Sequence, residues 1–512
     1  MAIFLLFAIL LSTSNCVSFA SSVSDEEVSR SRQACKLARE YLAGTTVNSS
    51  SLEGYVDPRS SLYSDRVEAY WSSNCWQNAS CIVSPASTEE LAEMMSIIAS
   101  TNATFSVRGG GHNFNRNFSS VGPNGIILDM TRFTNISLAA DKRLVTVGVG
   151  NRWGTVYNYL DGTGVSVNGG RSPNPSVGGQ TLGGGIGWLT NLVGVTAASV
   201  VAAEVVLADS SVIQADEEHN RELLWALKGG GPNYGIVTSF TYKTIPIDKV
   251  WFATRWYSAE QNRALLHALF DYEMTSTRDS KANIVYQLSE ETGAPQSFVG
   301  FLYLDPVEWP SIFSPFYNIT HAATMINSTT GTLSDLASNY YAPQYPEPGI
   351  PPSRDYVVSL PHKLDEATYN DSYATFTKYA KQAADLGWHM NYGSQPISKL
   401  AVHESSNTPL NLTNVEQDWV HVTLQWELAE DDSTAIKMLQ ELGKEILAAA
   451  TRHGSHLRYR FANDAYSEQD ALSSYGEGNL RKLISISRKY DPAGVFQRQQ
   501  NGGWLIDRAQ RN

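Results

Sequence analysis

The sequence predicts an α+β protein made of two domains. The chain has 512 residues, which is more than a single hydrophobic core usually serves. Glycine-rich blocks occur in the first half of the chain, and they end near Ile245-Pro246-Ile247. Between residues 250 and 450, aromatic-rich strands alternate with helical stretches instead. This change in the sequence pattern indicates that a second domain begins after residue 247.

The first domain opens with alternating strands and helices. Strands are predicted at residues 81–83 and 104–107, on either side of a helix that Ser87-Thr88-Glu89-Glu90 begins as a capping box. Three glycines follow the second strand and lead into His112. Consecutive glycines let the backbone aim several N–H groups at one anion, so this turn is a candidate pyrophosphate cradle. A plain glycine-rich turn with a hydrogen-bonded histidine is the alternative.

The other elements follow from alternation and turn residues. These signals predict strands at residues 126–129 and 144–149, a helix at 153–160, and a hairpin whose strands are 205–207 and 212–213. Further along, they predict a strand at 420–427 and a helix at 480–488.

Two more glycine-rich blocks, residues 169–187 and 225–237, suggest a long ligand lying against bare backbone, as a dinucleotide does. With residues 108–112 and the tail segment 490–498, they form a set of motifs in a fixed order. By these motifs the chain resembles the flavoproteins of the vanillyl-alcohol oxidase and para-cresol methylhydroxylase superfamily. The similarity is to the berberine-bridge-enzyme-like branch and its fungal secondary-metabolite members.

The resemblance implies a detailed domain layout. Residues 21–247 are expected to form a two-part FAD-binding domain of the para-cresol methylhydroxylase type. Residues 248–450 are expected to form a substrate domain with an antiparallel sheet flanked by helices, and residues 451–512 to return to the FAD domain. An apolar stretch followed by small residues predicts that residues 1–20 are a secretory signal.

The resemblance also implies how FAD is held. In the family, the histidine after the glycines is bonded to the flavin 8α-carbon, and His112 occupies that place. Many relatives add a second bond from a cysteine where this chain has Ser172, and a hydroxyl cannot form that thioether. We therefore expect covalent FAD through His112 alone. The residues expected to contact FAD are Arg108, Gly109, Gly110, Gly111, His112, Ser172, Val177, Gly178, Gly179, Thr181, Gly184, Ile236, Val237 and Asn463.

Two roles near the flavin follow from family positions. Val177 stands where family oxidases carry a small residue that lets oxygen approach the flavin. Asp464 stands where many relatives have a tyrosine that serves as the base, and desolvation against an apolar flavin face would make an aspartate a usable base. An ordinary solvated or capping carboxylate is the alternative reading of Asp464. Gln425 and Glu427 on the strand at 420–427, and Tyr466, are the rival candidates.

The expected activity is oxidation of a small secondary-metabolite alcohol to an aldehyde or ketone, with O2 reduced to H2O2 and cyclisation as a possible companion step. The alternatives are a flavin-containing cyclase with little net redox and a flavin dehydrogenase that uses another acceptor. The formal net charge of −13 offers no basis for nucleic-acid binding. His453 and His456 lack companion ligands, so no metal site is expected.

Cysteines and sequons suggest the secretory pathway, with no membrane segment left after signal cleavage. Removal of the signal leaves three cysteines, and fungal relatives favour a bridge between Cys35 and Cys81, with Cys75 as the competing partner. Nine asparagines stand in Asn-X-Ser/Thr sequons, namely Asn48, Asn78, Asn102, Asn117, Asn135, Asn318, Asn327, Asn370 and Asn411. These features predict a secreted or vesicular glycoprotein.

Overall fold

The computed structural model describes residues 23–45, 54–276, 279–290, 295–340 and 353–509. The expected signal at residues 1–20 and the sequon at Asn48 lie outside these ranges.

The helices are distributed along the whole described chain. They are α1 (Asp25–Thr45), α2 (Tyr63–Val67), α3 (Thr88–Thr101), α4 (Trp153–Leu160), α5 (Val177–Leu182), α6 (Thr190–Val193), α7 (Arg221–Leu227), α8 (Asn262–Ser276), α9 (Ser314–Tyr317), α10 (Leu333–Tyr340), α11 (Glu366–Asp385), α12 (Lys399–Glu404), α13 (Asp432–Arg452), α14 (Ala471–Ser474), α15 (Glu477–Tyr490) and α16 (Val495–Arg498).

The strands fall into two groups along the chain. The first group is β1 (Tyr55–Val56), β2 (Cys81–Val83), β3 (Thr104–Arg108), β4 (Gly125–Asp129), β5 (Ile136–Leu138), β6 (Leu144–Gly148), β7 (Val165–Ser166), β8 (Val200–Val206), β9 (Val212–Ala215), β10 (Ile236–Lys243) and β11 (Ile245–Pro246). The second is β12 (Val250–Tyr257), β13 (Ala282–Glu290), β14 (Gln296–Tyr303), β15 (Ala323–Gly331), β16 (Arg354–Lys363), β17 (His389–Ser394), β18 (Pro396–Ile397) and β19 (Gln417–Trp426).

The first group builds two main sheets. A four-stranded sheet has the order β1-β2-β4-β3, in which β4 pairs parallel to both β2 and β3. A five-stranded antiparallel sheet has the order β5-β6-β10-β8-β9. The Ser87 cap is confirmed, because its side chain accepts the Glu90 N–H and begins α3, but the reciprocal bond of a capping box is absent, since the Glu90 carboxylate accepts the Ala86 N–H instead. The hairpin is confirmed as β8 and β9, and α4 begins and ends where predicted.

The second group forms one eight-stranded antiparallel sheet of order β15-β12-β14-β13-β17-β19-β16, with β18 paired to β19. Helices α11 and α13 pack on one face of this sheet. The buried positions of α11 recur every three or four residues, which explains why it lies against the sheet. Side chains alternate along each strand, so the opposite face remains available to form the wall of a site.

Two large hydrophobic cores correspond to these groups. One core joins side chains of the first sheets with tail residues such as Phe461, Leu483 and Phe496. The other lies between the eight-stranded sheet and its helices. The α+β class and the antiparallel sheet flanked by helices are confirmed. The boundaries at residues 247 and 450 stay predictions.

Cys35 on α1 and Cys81 at the start of β2 form a disulfide, as the family resemblance implied. Cys75 is a buried free thiol, and burial raises its pKa to about 12. Within the described part of the chain, no helix has both the length and the apolar character needed to cross a membrane.

Candidate functional site

A cavity of about 620 Å³ lies between the glycine-rich turns of the first half and the open face of the eight-stranded sheet. Cofactor and ligand sites typically enclose about 300–1,000 Å³, so this volume suits an organic ligand. Segments 109–113, 170–172, 235–237 and 461–464 all border the cavity, together with alternate residues of the sheet. All three glycine-rich blocks therefore reach the same space.

The first glycine turn presents His112 to this cavity. Gly111 has φ +70°, and a Cβ there would stand 2.3 Å from the Ala69 carbonyl oxygen, so only glycine fits. The His112 ring stacks on Trp71 with 5.5 Å between ring centroids. Burial, and secondly the nearby Arg152 charge, lower the His112 pKa to about 4. The imidazole is therefore neutral at neutral pH.

The second block is joined to the first turn and to the tail. The Gly110 N–H donates to Ser176 Oγ over 2.8 Å. Asn463 Oδ1 accepts the Gly185 N–H over 3.1 Å, which fixes the tail segment against this block. At Gly179, which lines the cavity, a Cβ would meet no atom within 4 Å, so its Cα faces open space. Ser172 also lines the cavity.

Four expected cofactor contacts lie elsewhere. Arg108 does not line the cavity, because alternation along β3 turns it away from Val107 and Gly109. It is 1% exposed, and its Nη2 pairs with Asp129 Oδ2 over 2.5 Å. The Thr181 hydroxyl is within 2.7 Å of the Tyr242 hydroxyl in the core, and Gly184 only turns the chain after α5, with φ +103°.

Val177 is the fourth expected cofactor contact that does not border the cavity. Its side chain is fully buried in the hydrophobic core, and its N–H donates to the Asn151 carbonyl over 2.9 Å. Because Val177 does not line the cavity, its place does not support a role in guiding oxygen to the flavin. The lining at this point comes from Val149 and Gly178.

The sheet contributes one alternation face to the cavity. Register pairs Gln287 with Gly393 and Gly393 with His421, while Asn391 pairs with Thr423 and Thr423 with Val357. The sheet residues that line the cavity are Val285, Gln287, Val357, Asn391, Gly393, Ser394, His421, Thr423 and Gln425. This wall is rich in amide and hydroxyl groups, which favour hydrogen bonding to ligand oxygens.

A polar cluster joins this wall to the tail. Gln395 Nε2 donates to Asp464 Oδ2 over 2.8 Å and lies 3.2 Å from His421 Nδ1. His421 Nδ1 is 3.8 Å from the same carboxylate oxygen. Gln395 Oε1 accepts a hydrogen bond from Arg171 Nη2. Asp464 thus lies at the cavity, as its predicted role as base requires.

The three rival candidates for the base, Gln425, Glu427 and Tyr466, differ in whether they border the cavity. Gln425 lines the cavity, where its Nε2 donates to Asp355 Oδ1 over 2.6 Å. Glu427 is exposed outside the cavity, because β19 ends at Trp426, one residue before it. Tyr466 also lies outside the cavity, with its ring 5.2 Å from that of Tyr356. Neither Glu427 nor Tyr466 borders this cavity.

His421, Gln395 and Arg171 were not among the predicted site residues. His421 precedes Gln425 by an even number of positions on β19, so strand alternation was a signal that would have found it. Gln395 follows a strand whose pairing the local sequence does not reveal. Within the described residues, no group of three or more His, Cys, Asp or Glu side chains is arranged to hold a metal ion.

Comparison with known proteins now adds to this geometry. Residues 79–216 match the family described as FAD binding domain. An FAD-dependent monooxygenase of Arthrobotrys oligospora is 34% identical over 453 residues, which is 87% of this chain and 86% of that protein. The chain belongs to the berberine-bridge-enzyme-like FAD-linked oxidoreductases. This flavoprotein falls in their fungal secondary-metabolite branch, where the bifunctional solanapyrone synthase of Alternaria solani is 30% identical over 91% of this chain and 89% of that protein.

Solved structures show the same fold. A variant of BBE-like 1 from Physcomitrella patens has a TM-score of 0.74 at 18% identity, covering 91% of this chain and 98% of that one. Glucooligosaccharide oxidase from Acremonium strictum has a TM-score of 0.71 at 20% identity, covering 90% and 97%. The cavity of this FAD-linked oxidoreductase suits the cofactor, because glycines border it and Gly179 leaves open space beside it.

Proposed function

We propose that the protein oxidises an alcohol carbon of a small organic metabolite to an aldehyde or ketone, with O2 converted to H2O2. When bound, FAD would accept the hydride from the substrate carbon and pass the electrons to O2. The observation that carries this proposal is the Asp464 carboxylate, held by Gln395 at the same cavity as His112 and the glycine turns. A carboxylate there can take the hydroxyl proton that alcohol oxidation releases.

We further propose that FAD is attached through His112 alone. A pKa of about 4 keeps the imidazole neutral at neutral pH, and the neutral form of histidine is the one that can act as a nucleophile toward the flavin. The flavin of the glucooligosaccharide oxidase is 6-S-cysteinyl, 8α-N1-histidyl FAD. A second covalent link to the flavin would need a cysteine sulfur. This chain has Ser172, which lines the cavity, at the corresponding family position, and a serine hydroxyl cannot form a thioether.

The sheet wall supports a substrate that carries several oxygens. Gln287, Asn391 and Thr423 offer amide and hydroxyl groups on one face, beside the Gln425 amide that bonds to Asp355, and Val285 and Val357 add apolar surface. Buried polar groups need partners, so hydroxyl or carbonyl oxygens of a ligand would satisfy this face better than hydrocarbon. Such a wall favours a polyoxygenated metabolite over a bare aromatic ring.

The relatives suggest two other reaction classes, monooxygenation and ring closure. Several relatives are named monooxygenases, and a monooxygenase would consume a reductant and place one oxygen atom of O2 in the product. The solanapyrone synthase suggests ring closure as a companion step. An oxidase needs no added reductant and no ring closure. Its reaction converts one alcohol and one O2 into one carbonyl compound and one H2O2.

The test is a screen of polyoxygenated alcohols with the purified holoenzyme. A substrate should bleach the flavin absorbance once per enzyme without air, and in air should give one H2O2 per carbonyl formed. If flavin is reduced only by a nicotinamide cofactor and label from ¹⁸O2 enters the product, the protein is a monooxygenase. If product forms without bleaching or peroxide, it is a cyclase.

We also propose a secretory route. The eight sequon asparagines that the structure describes, Asn78, Asn102, Asn117, Asn135, Asn318, Asn327, Asn370 and Asn411, are all exposed. Exposure is what a glycan requires, and the Cys35–Cys81 disulfide suits an oxidising compartment. Expression in a eukaryotic host should give secreted protein whose mass falls on enzymatic removal of N-glycans. Intracellular protein without glycans would contradict this route.

A further inference from the structure

We propose that Gln395 is a positioning residue that sets the proton pattern of the cavity. It holds His421 as the neutral tautomer with hydrogen on Nε2, and it binds one oxygen of Asp464. A substrate hydroxyl would then accept from His421 Nε2–H and donate to Asp464. These roles toward substrate rest on the proposed function, whereas the tautomer itself does not.

The orientation of the Gln395 amide follows from its partners. Arg171 can only donate hydrogen bonds, so the amide oxygen must face its guanidinium. The amide nitrogen therefore faces Asp464 at 2.8 Å and both His421 Nδ1 and the Trp419 carbonyl oxygen at 3.2 Å, so its second hydrogen is shared between the last two. The Gln395 backbone N–H donates to Asp418 Oδ1 over 2.8 Å, and Asp418 is itself fully buried and bonded to Ser394. With both its backbone and its side chain held, Gln395 has little freedom to rotate.

This orientation decides the His421 tautomer. Gln395 Nε2 is a donor 3.2 Å from His421 Nδ1, and the Asp464 Oδ2 acceptor is 3.8 Å from Nδ1, which is beyond hydrogen-bond distance. Nδ1 therefore makes a hydrogen bond here only when it is the unprotonated ring nitrogen, and we infer that tautomer. Burial is the main cause that lowers the His421 pKa; Arg171 also lowers it, while Asp464 and Asp418 act in the opposite direction. A neutral imidazole with unprotonated Nδ1 carries its hydrogen on Nε2.

The ring is placed to use that hydrogen. His421 packs across Gly393 on the neighbouring strand, where a Cβ would stand 2.2 Å from the ring carbon Cε1. The side chain is 22% exposed and lines the cavity. Among the described residues, His421 Nε2 has no hydrogen-bond acceptor, so a ligand oxygen can take that position.

Asp464 completes the pair. Its Oδ2 accepts from Gln395, and its Oδ1 has no hydrogen-bond donor among the described residues. During oxidation the hydroxyl proton passes to Asp464, and the carbon is oxidised as stated for the proposed function. The oxygen gains negative charge as its proton leaves, and a fixed N–H donor such as His421 Nε2–H stabilises that charge.

The first test reads the tautomer directly in the resting holoenzyme. Nitrogen-15 NMR of histidine-labelled protein, with the His421 signals assigned by comparison with His421→Asn, should show protonated Nε2 and unprotonated Nδ1 at pH 7. Gln395→Glu keeps the size and the oxygen facing Arg171 but replaces the donor by an acceptor. In that variant the proton should move to Nδ1 or the ring should become an imidazolium. Gly393→Ala should displace the ring and change both signals.

The second test reads the reaction. Gln395→Glu places a second carboxylate beside Asp464, so the acidic limb of the pH profile of flavin reduction should move to higher pH. The limiting rate should fall at least tenfold while KM changes less, a split that a general loss of structure would not give. A wild-type His421 protonated on Nδ1 overturns the proposal, even if Gln395→Glu fails to fold.

The two proposals can fail separately. Protonated Nε2 in a protein that no alcohol reduces would keep the positioning role and reject the oxidase. Alcohol oxidation with protonated Nδ1, or with an unchanged pH profile in a folded Gln395→Glu, would keep the oxidase and reject the positioning role.

Discussion

His112 illustrates how burial prepares a single side chain for chemistry. The ring is stacked on Trp71, and desolvation makes the charged imidazolium unfavourable, so the pKa lies at about 4. A histidine with an ordinary pKa would be partly protonated in mildly acidic surroundings, whereas this one keeps its lone pair. The backbone just before His112 is also constrained, since a side chain at Gly111 would collide with the Ala69 carbonyl oxygen.

His112→Ala should abolish acid-stable flavin binding, because the ring is the only proposed point of attachment. Wild-type protein precipitated in acid should remain yellow, and proteolysis should give one flavin-bearing peptide that contains His112. Ser172→Ala is the matched control and should retain the colour. Free FAD from wild-type protein, or a second flavin-bearing peptide, would contradict single attachment.

Asp464→Asn should lower the rate of flavin reduction by roughly 100-fold or more, the usual scale for a positioned general base. The amide keeps the shape of the carboxylate but cannot accept the proton. Stopped-flow absorbance without air measures the rate. Glu427→Gln makes the same change on an exposed carboxylate beyond the end of β19 and should leave the rate unchanged. Equal rates of flavin reduction in wild type and Asp464→Asn would show that Asp464 is not the general base.

Single residues also show where the sequence was informative. The glycine turn and His112 were predicted because a strand end and consecutive glycines are local signals. Arg108 was misplaced because motif membership does not say to which side a strand residue points. Gln395 and Asp464 are 69 positions apart and meet only through the tertiary fold, so no local pattern could reveal their contact.

Among the elements, β19 has the largest share in the site. It pairs with β16 and β17, and its alternate residues His421, Thr423 and Gln425 face the cavity while Val422 and Leu424 enter the core. Alternation predicts a strand at 420–427, whereas β19 begins three residues earlier, at Gln417, and ends one residue earlier, at Trp426, which leaves Glu427 outside the cavity. The order of the eight-stranded sheet could not be predicted, because it depends on pairings between strands distant in sequence.

The β16–β19 pairing buries Asp355 opposite Gln425, and burial raises the Asp355 pKa from 3.8 to about 6 despite hydrogen bonds from Gln425, Ser353 and Ser72. A raised carboxyl pKa stabilises the folded protein fully below pH 3.8, and this contribution is lost as pH rises through 6. The difference in unfolding free energy between wild type and Asp355→Asn should therefore fall by about 2 kcal/mol between pH 4 and 7. Urea unfolding at several pH values measures it, and a difference independent of pH would contradict it.

The parallel pair β3–β4 depends on a buried ion pair between Arg108 and Asp129. Arg108→Met should lower the unfolding free energy by about 3 kcal/mol, the lower end of the range for breaking a buried ion pair, because the buried Asp129 carboxylate loses its closest partner and keeps Arg66 Nη1 at 3.8 Å. Denaturant titration followed by circular dichroism measures the loss. Arg481→Met, which breaks the exposed pair with Glu477, should change stability little. A stable Arg108→Met protein that loses only flavin would restore Arg108 as a cofactor contact.

For the whole molecule, the tail and the first helix hold the first half of the chain together. Tail residues share the first hydrophobic core, and Asn463 bonds to the second glycine block beside the cavity. The two-domain α+β plan was predictable because composition changes along the chain and the glycine motifs keep a fixed order. The glycine-rich blocks suggest one long ligand, but their geometry at a single cavity depends on the tertiary fold, since spacing alone does not determine how distant loops approach each other.

The disulfide fixes α1 to β2 across 46 positions of chain. A cross-link of this span restricts the unfolded chain, so Cys35→Ser should lower the unfolding free energy by about 4 kcal/mol on the chain-entropy estimate. A reducing agent should destabilise wild-type protein by a similar amount and have no further effect on Cys35→Ser. Cys75→Ser removes a buried thiol that cross-links nothing and should keep the sensitivity to reduction. Unfolded protein without residues 1–20 should show one reactive thiol, and three such thiols, or a Cys75→Ser protein indifferent to reduction, would contradict the Cys35–Cys81 bridge.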